Sequence, residues 1–132
     1  MKSKYSFIII LTIFVLFSGI LHAQQSSPQA AAITLRVNSP TTIDINNGQR
    51  VQLSFTAPSA GVYSFESSNN GTLDPVAYSA ASGTREINDD GGQNSNFLFT
   101  QNLRAGEVFT FFAGVIRDRG SGSYTVNVQG SR

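Results

Sequence analysis

The chain has 132 residues, a formal net charge of +1 and no cysteine. A disulfide scaffold is excluded, and one packed core must hold the fold without covalent staples. Residues 24–132 contain seven arginines, eight carboxylates and no histidine, lysine, cysteine or tryptophan, so once the leader described next is set aside the net charge is −1. The arginines are dispersed rather than clustered, and a nucleic-acid partner, which calls for a basic patch or stripe, is not expected.

The chain opens on a processing signal. Lys2 and Lys4 precede an apolar run from Phe7 to Leu21, and Leu21-His22-Ala23 then brings a small residue before polar Gln24 and Gln25. That order is a secretory signal peptide. The run is short of the roughly 18–20 apolar residues of a spanning helix. Cleavage is expected near Ala23, with export to the periplasm or the medium and no membrane span in the product. Residues 24–32 lack any large apolar side chain and read as a flexible tail. Residues 33–132 read as one domain.

From Ile33 onward the hydrophobic period is two. Ile33, Leu35 and Val37 alternate with Thr34, Arg36 and Asn38, and Ile43 and Ile45 follow the same pattern. Val51, Leu53 and Phe55 come next, then Tyr63 and Phe65, and finally Tyr124, Val126 and Val128. Alternate side chains on a strand face opposite ways, so each segment has a core face and a wet face. Shorter strands are expected at Val76–Tyr78, Arg85–Ile87 and Asn96–Thr100. Turn residues separate the runs, at Asn46-Asn47-Gly48, Asn69-Asn70-Gly71, Asp89-Asp90-Gly91-Gly92 and Gly120-Ser121-Gly122 among others. Eight or nine short strands with this spacing predict an all-β, jelly-roll-like antiparallel sandwich.

Glu107–Ile116 departs from simple alternation. Phe109, Phe111, Ala113 and Val115 make one face, while Val108, Phe112 and Ile116 lie on the other. A central strand covered on both sides is the preferred reading. An exposed recognition patch including Phe112 is the alternative. The other aromatics fall at period two and are assigned to the core. Asn70-Gly71-Thr72 fits a glycosylation sequon but reads better as a turn. Arg117-Asp118-Arg119 reads as a solvated hairpin tip whose arginines are candidate contacts for an acidic partner.

The composition removes most enzyme chemistry. His22, Lys2 and Lys4 leave with the leader. Without them there is no nucleophile–histidine dyad, no His or Cys metal site and no phosphate-loop or Schiff-base lysine. Carboxylate hydrolysis remains, with Glu66, Asp74, Glu86, Asp89, Asp90 and Glu107 as candidates, but their spacing marks no acid–nucleophile pair.

Five segments resemble the bacterial pre-peptidase C-terminal domain family. They are Gly61-Val62-Tyr63-Ser64-Phe65-Glu66, Leu73-Asp74-Pro75-Val76-Ala77-Tyr78, Asn88-Asp89-Asp90-Gly91-Gly92, Leu103-Arg104-Ala105-Gly106 and Gly122-Ser123-Tyr124-Thr125-Val126. The resemblance spans about Val51 to Val128. It implies a jelly-roll-like sandwich similar to collagen-binding modules, an accessory role beside secreted hydrolases, and calcium binding in several members. Ser79-Ala80-Ala81-Ser82-Gly83 lacks the aspartate that often precedes that glycine in the family.

The acidic loop is the sharpest candidate site. Calcium takes 6–8 oxygen ligands. Asp89 and Asp90 offer carboxylates, Asn88 and Asn94 amide oxygens, and Asp74, held extended by Pro75, a further carboxylate. A solvated Asp-Asp-Gly-Gly turn accounts for the same residues without a metal. The sequence as a whole points to a secreted, non-catalytic module that recognises a protein or polysaccharide. An accessory subunit pairing with a partner chain or a secreted hydrolase is the alternative, and a small carboxylate hydrolase is the remote one.

Overall fold

The computed structural model describes residues 31–130 except 82 and 84. The expected leader and most of the expected tail lie outside the described residues. Nine strands are present among them: β1 Ile33–Leu35, β2 Thr41–Ile45, β3 Val51–Thr56, β4 Gly61–Ser68, β5 Pro75–Ser79, β6 Glu86–Asn88, β7 Leu98–Leu103, β8 Val108–Val115 and β9 Gly122–Gly130. No helix among the described residues is long and apolar enough to cross a membrane.

The strands form two sheets, ordered β1-β3-β8-β5-β6 and β2-β9-β4-β7. β2 pairs with β9, β3 with β8, β4 with β7 and β5 with β6, all antiparallel. These nested pairs are one long hairpin rolled up so that successive pairs fall in alternate sheets, which is jelly-roll connectivity. β1 departs from the antiparallel expectation. It runs parallel to β3, with Ile33 opposite Leu53 and Leu35 opposite Phe55. The reason is topological: β2 lies in the other sheet, so the chain crosses the sandwich and returns before β3 begins.

Period two becomes burial through this pairing. Ile43, Ile45, Tyr63, Phe65, Tyr124, Val126 and Val128 face inward from one sheet, and Leu35, Leu53, Phe55, Phe111, Ala113 and Val115 from the other. Phe65 joins the layers. Its ring lies 5.5 Å from Phe55 and 5.6 Å from Phe111, both edge-on, and 5.2 Å from Phe99 in a stack. Edge-to-face contacts of this kind add about 0.5–1.5 kcal/mol to burial alone. Tyr124 also spans the layers: its buried hydroxyl donates to the Gly114 carbonyl of β8 at 2.9 Å.

β8 is covered on both faces over its second half. On its outer side Val76, Tyr78 and Gly114 are buried although they lie outside the main core cluster. Phe112, level with Gln52 and Tyr78, is half-buried. The first half is open, with Val108 at 58% exposure.

Phe65→Ala removes the ring shared by both sheets. It is expected to lower stability by about 3–5 kcal/mol in urea denaturation, whereas Val62→Ala on the wet face of the same strand leaves the midpoint nearly unchanged.

Candidate functional site

At one end of the sandwich the β4–β5 and β6–β7 connections cross between the sheets, and the acidic and amide candidates lie on them. The acidic loop is organised by Asn88. Its Oδ1 accepts the Gly91 N–H at 2.8 Å and the Leu98 N–H at 2.9 Å. Gly91 sits so close to the Leu98 carbonyl and the Asn88 amide that a Cβ there would collide with both. Asp89 accepts the Asp90 N–H at 2.8 Å.

Asp74 enters the same field. Its backbone carbonyl accepts the Ile116 N–H at 2.9 Å, and its Oδ1 is buried with no hydrogen-bond partner among the described residues. Burial pushes the Asp74 carboxyl above the usual carboxylate range, and the charges of Asp90 and Asp89 push it further. Glu86 is raised as well, by burial first and then by Asp89. The charges of Asp74, Asp89 and Asp90 therefore act on one another, and Glu86 shares that field. Asn88 stands differently, because two backbone donors occupy both lone pairs of its Oδ1 and leave none for a cation. Asn94 lines a neighbouring groove. Among the described residues no group of three or more His, Cys, Asp or Glu side chains is placed to hold a metal ion.

That groove, about 720 Å³, lies between the end of β4, the 69–71 turn and residues 91–98. Its floor is a buried polar network. Ser67 Oγ donates to Asn96 Oδ1 at 2.8 Å and accepts the Phe97 N–H at 3.0 Å. Asn96 Nδ2 donates to the Gln93 carbonyl at 2.7 Å and to Asn70 Oδ1 at 3.4 Å. Asn70 Nδ2 donates to the carbonyls of Leu73 and Asn94 at 2.7 and 2.9 Å. With its amide so engaged, Asn70 acts as the turn residue expected of it rather than as a glycan acceptor.

A second cluster closes the outer face of β8. Arg50 stacks 3.7 Å over the Tyr78 ring, grips Asp118 with Nε to Oδ1 and Nη2 to Oδ2, each at 2.8 Å, and donates from Nη1 to the Gly83 carbonyl. Asp118 is thus not part of a solvated tip. Ile116–Asp118 form a 3-10 turn in which Arg117 and Asp118 take left-handed φ values of 56° and 51°, while Arg117 and Arg119 stay exposed. Phe112 lies on the same face, next to Tyr78. Gly114 makes the stack possible, since a Cβ there would come within 3.1 Å of the Tyr78 ring and 3.3 Å of Arg50 Cγ. A glycine inside an otherwise apolar strand is the sequence signal for such a close approach.

The chain has the fold of a pre-peptidase C-terminal domain, an all-β sandwich with jelly-roll connectivity. It superposes on the pre-peptidase C-terminal domain of a collagenase from Bacillus anthracis with a TM-score of 0.55 at 13% identity, over 75% of this chain and 95% of that one. A looser likeness, TM-score 0.46 at 14% identity, is to a periplasmic inhibitor of g-type lysozyme from Salmonella Typhimurium, over 76% of this chain and 98% of that one. No protein-family model matches the chain, and no curated protein matches it.

Asn88→Ala leaves two backbone N–H groups unpaired and is expected to cost about 1–3 kcal/mol in denaturant unfolding. Arg50→Lys loses both the fork and the ring stack and is expected to cost about 1–2 kcal/mol in the same measurement. Asp74, raised in the fold, binds its proton more tightly there than in the unfolded chain. Its contribution favours folding below the unfolded pKa of about 4 and is lost as pH rises through the folded value. Asp74→Asn is therefore expected to raise the melting temperature at neutral pH and to flatten its fall above about pH 4.

Proposed function

We propose that this chain is an exported, non-catalytic binding module. The observation that carries the reading is that no described opening is lined by more than one carboxylate. Glu107, Glu66 and Glu86 each line a different opening, and Asp74, Asp89 and Asp90 line none of the described ones. No described cleft holds the pair of carboxylates that glycoside hydrolysis uses. Residues 24–132 contain no histidine, lysine or cysteine to replace such a pair. The likeness to a domain carried by a collagenase supports an accessory role. The basic start and apolar run at residues 2–21 support export.

The buried, unpartnered Asp74 Oδ1 favours one refinement. The described carboxylates are not already grouped around an ion, so calcium would bind at Asp74 by drawing Asp89 and Asp90 in from the loop, with backbone carbonyls and water completing its shell, and would relieve the repulsion among these carboxylates. Asn88 takes no part, since it holds the loop backbone.

The leader-free chain, immobilised and exposed to the native secretome with and without calcium, is expected to retain a protein or polysaccharide saturably. Turnover of a substrate by the purified chain, lost on Glu66→Gln or Asp90→Asn, would overturn the reading. Millimolar calcium is expected to raise the melting temperature and Asp90→Ala to abolish the rise. Superimposable melts in calcium and in chelator would remove the ion and leave the module.

A further inference from the structure

We propose that the groove beside β4 is the binding site for a neutral oligosaccharide. The proposal rests on the binding-module reading and names its ligand class.

The groove is built rather than incidental. Three non-glycine residues around it, Asn69, Asn94 and Ser95, hold left-handed φ values of 54°, 55° and 56°. A conformation of this kind costs roughly 1–2 kcal/mol per residue, eased for asparagine by its short polar side chain. The Ser67–Asn96–Asn70 network beneath maintains it by binding the backbone on both sides of the groove. Backbone held this way by a buried network is fixed before a ligand arrives, as a preorganised site requires.

The chemistry of the lining selects the ligand. The outward groups are the amides of exposed Gln93 and Asn94, joined by Ser68 and Asn69, which also bond Asn127 and Thr125 of β9, with Glu66 and half-exposed Leu98 on the wall. Glu66 and Leu98 sit opposite each other across β4 and β7. No arginine lines the groove and Glu66 repels negative charge, so an anion is disfavoured. A single carboxylate supplies little of the charged oxygen shell of 6–8 ligands that calcium takes. Leu98 alone is too little apolar surface for a hydrophobic ligand. A peptide adding as a strand needs unpaired backbone; β4 is already paired on both sides, with β7 and β9, and the open edge of β7 lies on the side away from β4. Sugar hydroxyls fit what remains. Each is both donor and acceptor, and an amide presents a donor and an acceptor side by side to a pair of neighbouring hydroxyls. Leu98 offers contact to the C–H face of a sugar ring. Its volume of about 720 Å³ falls within the range of small-ligand sites.

The test is an amide-resolved NMR titration of the leader-free domain with cellohexaose, maltohexaose and chitohexaose in turn. At least one is expected to shift the side-chain amides of Asn69, Gln93 and Asn94 saturably, with a Kd of about 0.1–1 mM. Gln93→Ala combined with Asn94→Gly is expected to weaken binding at least about tenfold. The same variant keeps the melting temperature, because neither side chain holds the buried network and glycine accepts the left-handed backbone. Arg104→Ala, at the far end of β7, is expected to change nothing. Silence toward all three sugars up to about 10 mM, shifts confined elsewhere, or unchanged binding by the double variant would overturn the proposal. A protein captured from the secretome alongside silent titrations would leave the module reading standing and remove this site, whereas substrate turnover would remove the module reading itself.

Discussion

The structure depends on aromatic packing across the layers of a sandwich that has no covalent staple. Phe55 and Phe111 from one sheet meet Phe65 from the other, with Phe97 and Phe99 closing the cluster. Non-polar burial is the main force available to a chain without cysteine. Every strand is therefore oriented by the need to turn its apolar side toward these rings. The rolled hairpin meets that need, because successive nested pairs fall in opposite sheets and face one another.

Rolling the hairpin also decides where chemistry collects. β4 to β5 and β6 to β7 both pass from sheet to sheet at the same end, and each crossing exposes backbone that no ladder can pair. Asn88 satisfies one connection from within, and Asn70 and Asn96 tie the two together. The acidic patch and the amide-lined groove follow from the same two crossings. The outer face of β8 is a third consequence. A strand central to its sheet and apolar on both sides needs cover, and Arg50 provides it by stacking on Tyr78 while binding the Gly83 carbonyl and Asp118.

Much of the scaffold was legible in the residues. Val51–Phe55, Tyr63–Phe65 and Tyr124–Val128 were readable as strands, and the turn glycines and asparagines between them as loops, because alternation and left-handed turns are properties of a few neighbouring residues. The cover on β8 was foreseen in kind from Phe112 opposite Phe111, but it stops short of Val108, which is exposed, and its parts were not foreseen. Arg50 looks like any dispersed arginine until its partner, 68 positions away, is known. Residues 89–92 were legible as a loop, yet the task of Asn88 was not visible, since its Oδ1 serves a backbone amide ten residues on in a different sheet.

The sequence by itself determined an all-β chain, a basic start and apolar run at residues 2–21, and a shortage of reactive side chains after them. Those properties are compositional or local, and no partner from elsewhere in the chain is needed to state them. The tertiary structure alone decided the parallel pairing of β1, the grip of Arg50 on Asp118, the field shared by Asp74 with Asp89 and Asp90, and the amide network under the groove. Each depends on which distant segments the rolled hairpin lays side by side, and hydrogen bonds and charges act over a few ångströms of space whatever their separation along the chain.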